Sequence, residues 1–520
     1  MKLNISKESV DLCRQVASEI SREIQKDIHP FSTVSVERAI LRLLGVRGEK
    51  EGVPMVNVLV DRLREQKALE EGVFYWVANA CLNTSLSPQE VAERTVSGDL
   101  NLLQIPRGDF LEVKEKAREL ATLGLGELFR KWETRMAFKK SLSHFTSPLL
   151  YVIVASGNIY DDIAQARTAA LEGADCIAVI RSTAQSLLDY VPEGITTEGY
   201  GGTFATQENF RLMRQALDDV SSNVNRYIHQ VNYCSGLCMA EIAALAIIEG
   251  LDIMVNDALY GILFRDLNMY RTMIDQHFSR YLLGLFGIII TTGEDNLIKT
   301  VDAFKEYGIV LASQFLNEQL AEQAGMKKEQ IGLGHAAELD PKLPDSLLWE
   351  LVHAQLVRQV FPRSPVKYMP PTRFKSGNIF FAHVLDTIFN LVGFWTDQRI
   401  ILLGMPTEAL HTPYVQDRFI SLESALHLRN ASKSFSLELN FRKNGVASQR
   451  ANQVLNDALE ILNRIREWGI WNSLSKGVFS RIRREKRGGR GFDGVFRKGK
   501  FYLNPFLEPG VVEEARRKRG

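Results

Sequence analysis

Cysteine is scarce in this chain. Five thiols stand among 520 residues (Cys13, Cys81, Cys176, Cys234, Cys238), an odd and sparse set that argues against a disulfide framework and fits a reducing compartment. A surplus of either charge is also missing: 63 Lys and Arg face 62 Asp and Glu, for a net charge of +1. No global field therefore steers the chain toward nucleic acid or an anionic membrane. Long apolar runs are lacking too. The most apolar, Tyr281–Ile290, falls well short of the roughly 20 residues that span a bilayer. It is broken by Gly284 and Gly287 and ends in Thr-Thr-Gly-Glu-Asp, so it reads as a helix end followed by a buried strand. Residues 1–9 lack the apolar core of a signal peptide, and no repeat at solenoid period is present. A cytoplasmic protein with neither nucleic-acid nor membrane partner is expected.

What is present divides into three regions. Residues 1–145 read as a helical accessory region. Val10, Cys13, Val16, Ile20 and Ile24 line one helix face, and Ser87-Pro88-Gln-Glu90 has the form of a capping box. The charge-rich stretch Leu111–Lys140 reads as helix with a break at Gly124 and Gly126. From Pro148 the pattern changes to short β-branched runs alternating with helices: Leu149–Ala155, Cys176–Ile180, Arg226–Val231, Ile253–Val255, Ile288–Thr292, Ile309–Ala312, Ile331–Gly334, Val366–Met369 and Ile400–Leu403. Eight or nine such runs predict an α/β fold, a (β/α)8 TIM barrel over 146–420. An open doubly wound sheet is the alternative. Residues 421–520 read as a helical, basic accessory region, with Val454, Ala458, Ile461, Leu462 and Ile465 on one face.

The stretch Asn232–Arg265 concentrates polar groups after two predicted strands, the face where ligands bind in such folds. Arg181 and Arg265 suit bidentate capture of a phosphate. Gln185, Ser186, Ser235 and the Gly199–Gly202 loop offer further donors. The plainer reading pairs the arginines with Asp189 or Asp266. Tyr260 offers a flat face to an aromatic ring; alone it would be core. Asp295 with Asn296, and Lys367, follow or occupy later strands and could hold the two charges of an amino acid, or form a structural ion pair. Glu408 lies near the presumed last strand.

Two motifs are weaker than they look. Cys234-x-x-x-Cys238 lacks the further ligands of a zinc or iron–sulfur site, so buried thiols are expected. Gly489-Arg-Gly491-Phe-Asp-Gly494 matches a dinucleotide fingerprint, but arginines and lysines of 481–487 stand where a strand should precede it. A solvated loop, at most a subunit contact, is expected there.

The phrases Tyr151–Tyr160, Gln185–Pro192, Thr206–Met213, Asn232–Cys238, Asn256–Asp266, Thr292–Asn296, Lys367–Thr372 and Thr407–Pro413 closely resemble the lysine 5,6-aminomutase alpha-subunit family, and the likeness covers nearly the whole chain. The resemblance implies a TIM-barrel isomerase using pyridoxal 5'-phosphate and adenosylcobalamin, which shifts the terminal amino group of D-lysine or L-β-lysine from C6 to C5 by radical chemistry. It implies a separate cobalamin-binding beta subunit, in an α2β2 assembly, that carries the cobalt-ligating histidine and the lysine covalently bound to pyridoxal phosphate. No Asp-x-His-x-x-Gly cobalamin motif occurs in the 520 residues, as expected of the split enzyme. Carried over by position, Arg181, Ser186, Ser235, Tyr260 and Arg265 match cofactor contacts, with Gln185 and Asn296 beside them. Asp295 and Lys367 match the substrate grip, with Asn296 and Glu408 nearby. Tyr260, Asp295 and Lys367 are the expected catalytic residues, and no metal site is expected on this chain. The sequence departs from the family's form at Ser182-Thr183-Ala184 and Arg373. A related enzyme acting on ornithine or another diamino acid, and a non-catalytic substrate-binding subunit, are the alternatives.

Overall fold

The β-branched runs after Pro148 pair as parallel strands: β1 (Leu149–Val154), β2 (Cys176–Val179), β3 (His229–Tyr233), β4 (Ile253–Val255), β5 (Ile289–Thr291), β6 (Ile331–Gly332, continuing as Gly334–His335), β7 (Lys367–Tyr368) and β8 (Ile400–Leu402). The computed structural model describes residues 1–143, 147–179, 184–199, 201–336 and 338–518. Neighbours in sequence are neighbours in the sheet, and β8 returns to pair with β1. The two halves of β6 meet at Leu333, the first pairing with β5 and the second with β7. That strand closes the sheet into an eight-stranded barrel, so the open-sheet alternative falls.

Alternation along the strands sorts their side chains. Leu149, Tyr151, Cys176, Ala178, Val231, Ile253, Ile400 and Leu402 form one buried cluster, with Ile153, Ile289 and Met369 against it. The register places these on the inner face, a packed lumen rather than a pore. The intervening residues face the surrounding helices: Ile159–Leu171, Gln207–Val224, Met239–Glu249, Met269–Leu285, Gly308–Gln323, Ser346–Val360, Ile379–Trp395 and Val415–Ala431. An additional short helix, Ala258–Arg265, follows β4.

Several expectations need correcting. Ile309–Ala312 is helical, within Gly308–Gln323. That helix lies between barrel and wrapper and is buried almost all round, so its apolar run has no period to separate it from a strand. β3 starts at His229, because Asn225 ends the preceding helix in the left-handed region (φ 50°). Helix Phe110–Ser141 runs unbroken through Gly124 and Gly126. A Cβ at Gly124 would lie 3.1 Å from the Leu43 carbonyl oxygen, so that glycine serves close packing and not a break. The last barrel helix also extends to Ala431, past the expected boundary at 420.

The terminal regions form one wrapper. Helix Lys7–Ile28 buries Val10, Cys13, Val16, Ile20 and Ile24, and packs with Val446–Trp468 against Gly308–Gln323. Phe31–Thr33 pairs antiparallel with Val495–Arg497, and Phe110–Ser141 packs against Pro509–Arg517. The Ser87 capping box is formed, with Pro88 in the first turn. Among the described residues, no helix is long and apolar enough to cross a membrane.

Candidate active site

Asn256 and Asp257 leave the end of β4 and build the floor. Asp257 caps helix Ala258–Arg265, its Oδ1 accepting from the Leu259 N–H at 3.0 Å, while Oδ2 accepts from the Gly293 N–H at 2.9 Å. One buried carboxylate thus fixes both the helix bearing Tyr260 and Arg265 and the turn bearing Asp295 and Asn296. Beneath them Arg280 donates from Nε to Asn256 Oδ1 at 3.0 Å and from Nη2 to the Asn256 carbonyl at 3.0 Å and Asn317 Oδ1 at 2.8 Å. Glu294 accepts from the Gly334 N–H at 3.0 Å, from Asn317 Nδ2 at 2.9 Å and from the Thr292 hydroxyl. Burial raises the Asp257 carboxyl. Burial, then the charge of Asp257, lifts Glu294 to about 8. Burial lowers Arg280 to about 10, against the pull of Asp257 and Glu294. Two buried carboxyls within the field of one buried guanidinium, each held by hydrogen bonds to its neighbours, make a stiff polar base.

On that base, Arg265 Nη2 donates to the Tyr260 hydroxyl at 2.8 Å, and the guanidinium carbon lies 5.3 Å from the Tyr260 ring centroid. Phe264 stacks near the same ring, centroids 5.9 Å apart. Arg265 Nε is buried without a partner among the described residues. The plainer pairing of Arg265 with Asp266 does not form among the described residues; Asp266 pairs with Arg484. Ser186 and Ser235 are both buried. Gly236, at φ +94°, presses the two loops together: a Cβ there would stand 2.6 Å from the Ser186 carbonyl oxygen, and the Leu237 N–H donates to that oxygen at 3.1 Å. Gln185 gives both ends of its amide to the main chain of Ala205, at 2.9 and 2.8 Å. It therefore anchors the loop ahead of Gln207–Val224. Arg181 lies outside the described residues.

The substrate candidates come from the other side. Lys367 is in register with Gly334 and Ile400, and Ile400 belongs to the lumen, so the Lys367 side chain points into the barrel. Burial draws its ammonium down, while Asp295, then Glu294 and Asp257, oppose the shift. Gly332 and Gly334 put no side chain beside it. Asp295 is buried, and its Oδ1 has no hydrogen-bond partner among the described residues. Among the described residues no ion pair joins Asp295 to Lys367; Lys367 feels the Asp295 charge across a gap. Asn296 folds back, its Nδ2 donating to the Gly293 carbonyl at 3.0 Å. Arg373 donates to the carbonyls of Val301 at 2.9 Å and Ile298 at 3.2 Å, holding the far end of this turn. Glu408 sits after β8, with one oxygen taken by Lys375 at 2.7 Å. Lys375 also lies 2.6 Å from Asp386, whose carboxyl burial lifts to about 7.

Ser235, Tyr260, Arg265, Asp295, Asn296, Lys367 and Glu408 therefore all stand around one mouth. The sequence reading missed the group beneath them. Asn256, Asp257 and Glu294 fall only within the polar stretches Asn232–Arg265 and Thr292–Asn296, and Arg280 and Asn317 stand in helices with no polar signature of a site. The available signal was a lone arginine in the apolar half of Met269–Leu285. The thiols of Cys234 and Cys238 are buried and donate to the carbonyls of Met239 and Leu188, each at 3.1 Å. Among the described residues no cluster of His, Cys, Asp and Glu could hold a metal ion.

Residues 3–509 match the family described as the D-lysine 5,6-aminomutase TIM-barrel domain of the alpha subunit. The chain is 52% identical to a lysine 5,6-aminomutase alpha subunit of Acetoanaerobium sticklandii over 508 residues, covering 98% of each. It is 48% identical to a protein of the same name from Fusobacterium nucleatum over 511 residues, covering 97% of this chain and 98% of that one. A D-ornithine 4,5-aminomutase subunit beta of A. sticklandii is more distant: 27% identical over 371 residues, covering 69% of this chain and 50% of the other.

Proposed function

This chain belongs to the lysine 5,6-aminomutase alpha-subunit family, a family of isomerases, and on that premise we propose that its barrel mouth holds pyridoxal phosphate and the far end of a lysine under a separate cobalamin-binding subunit. One observation carries the reading. Arg265 Nε and Asp295 Oδ1, a donor and an acceptor, are buried without partners among the described residues on two elements that Asp257 ties together. Buried polar atoms of that kind need partners, and an anionic cofactor and a cationic substrate group provide them. The close-packed corner at Gly236, with Ser186 and Ser235 beside it, fits a phosphate as well. When bound, pyridoxal phosphate supplies a conjugated ring that carries the migrating nitrogen and spreads an unpaired electron, and adenosylcobalamin supplies the radical that removes hydrogen.

The chain's own residues bind, orient and exclude water. Tyr260 offers a ring face held in place by Arg265. Arg265, the two serines and Arg181 take the phosphate. Asp295 takes an ammonium and Lys367 a carboxylate at the far end of D-lysine or L-β-lysine. The C6 amino group is thereby placed so that it can move only to C5. The name alpha subunit in the relatives, with the missing cobalamin motif, supports a partner that brings cobalamin and the covalent lysine, in an α2β2 assembly.

The test is to assemble the chain with its partner subunit and titrate pyridoxal phosphate and lysine. Asp295→Asn and Lys367→Ala each leave a substrate charge unpaired in a closed site, a loss on the order of 2–5 kcal/mol in transition-state binding, while cofactor occupancy stays near that of the unaltered enzyme. If either variant loses pyridoxal phosphate as badly as Arg265→Ala does, the division of the site is wrong. Turnover of ornithine in place of lysine would move the chain to the other aminomutase type.

A further inference from the structure

The basic, glycine-rich run that follows Phe479 is exposed along most of its length, as its composition suggests, yet it is pinned to the barrel at several points. Ser480 is buried; its hydroxyl donates to the Leu297 carbonyl at 2.7 Å, and its own carbonyl accepts from the Thr300 hydroxyl at 2.8 Å. Both partners flank the end of the Asp295 and Asn296 turn. Ser480 and Arg481 both take φ of 57°, a left-handed bend that non-glycine residues adopt only where the surroundings hold them. Four residues on, Arg484 reaches the other element. Its Nε donates to the Ile262 carbonyl at 2.9 Å and lies 3.4 Å from Asp266 Oδ1, and its Nη2 donates to the Leu263 carbonyl. These carbonyls belong to the last turn of Ala258–Arg265, where helix carbonyls lack intrahelical partners and a cation is favoured.

The rest of the run completes the attachment. The Arg490 N–H donates to the Asp266 carbonyl at 2.8 Å, the Asn268 N–H to the Arg490 carbonyl at 2.9 Å, and Asn268 Nδ2 to the Gly488 carbonyl at 2.8 Å. Gly489 has φ +79°, and a Cβ there would meet Asn268 N and Leu267 C at 2.8 Å. Gly489 thus serves close backbone approach, while Gly491 and Gly494 make room for the Leu237 and Arg271 side chains, which accounts for the three glycines without a dinucleotide.

We infer that residues 480–490 form a strap that positions the cofactor-contact helix against the substrate-contact turn, with Arg484 as its chief positioning residue. The inference rests on the cofactor reading of Tyr260 and Arg265. Ala258–Arg265 has eight residues, too few to be stable unaided. Asp257 fixes its start, and Arg484 fixes its end. Release of the end lets the Arg265 guanidinium and the Tyr260 ring, joined at 2.8 Å, swing together. Arg484 is engaged by two carbonyls and a carboxylate, so it does not serve as a phosphate site.

The test uses the full chain assembled with its partner subunit. Arg484→Ala should weaken pyridoxal phosphate binding by about tenfold or more, while KM for lysine at saturating cofactor changes by less than about threefold. Arg484→Lys, which can still meet one carbonyl, should recover most of the affinity. In an Arg265→Ala background the Arg484→Ala loss should shrink, because its route is already cut. Hydrogen exchange on the full chain should quicken in 258–267 and stay unchanged in β1. An undiminished loss in the Arg265→Ala background, or unchanged exchange in 258–267, overturns the strap. If the unaltered assembly binds no pyridoxal phosphate, the cofactor reading falls by itself, and faster exchange at 258–267 in Arg484→Ala still upholds the strap.

Discussion

Tyr260 has two duties that its place in the sequence could not separate. Its ring was legible as a flat face between Asp257 and Arg265; the hydroxyl bond to Arg265 was not, because it depends on side-chain directions within one short helix. The two duties give different losses. Tyr260→Ala removes the face, the covered apolar area and the tether, and should weaken pyridoxal phosphate binding by about 1–3 kcal/mol. Tyr260→Phe keeps the face and frees the Arg265 guanidinium, for a loss of about 0.5–1.5 kcal/mol. Absorbance titration of the assembled enzyme measures both, and equal losses would show that only the hydroxyl mattered. That Asp295 and Lys367 stand on the strand-end side of the barrel was readable, because each follows or occupies a predicted strand. Arg280 and Asn317 were not. They come from helices behind the barrel and reach the site floor only through the packing of Met269–Leu285 and Gly308–Gln323.

At the scale of elements, the barrel followed from strand-length apolar runs, and the failures came where that signal is ambiguous. Ile309–Ala312 opens a helix covered on both sides, and a fully buried helix loses the 3.6-residue stripe that would identify it. Gly124 and Gly126 look like punctuation but sit inside a 32-residue helix; neighbouring backbone, invisible in sequence, decides their use. Gly236 is the opposite case, a glycine whose position is demanded. With φ +94° and the Ser186 main chain 2.6 Å from any added Cβ, Gly236→Ala must either strain the backbone by about 1–2 kcal/mol or part the β2 and β3 loops. Cofactor affinity should fall further than for Ser235→Ala, with far-ultraviolet circular dichroism unchanged. Affinity equal to that of the unaltered chain would mean that the corner holds no phosphate.

As a whole molecule, the described residues form a barrel whose flanks are wrapped by both terminal regions. The missing cobalamin motif sets the prediction at this scale: the purified chain, given both cofactors and lysine, should show no turnover until the partner subunit is added. Turnover by the single chain in a coupled assay for the product would refute it. The wrapper carries a different consequence. Phe31 lies opposite Arg497 in the ladder that joins the two terminal regions, so the earliest-made segment finds its partner only after nearly all of the chain has left the ribosome. The apolar face of Lys7–Ile28 likewise waits for Gly308–Gln323 and, longer still, for Val446–Trp468 to cover it. Contacts so distant in sequence form slowly, and the half-made chain is exposed to aggregation meanwhile. Its yield in a foreign host should therefore depend on translation speed and chaperone supply more than on the stability of the finished barrel.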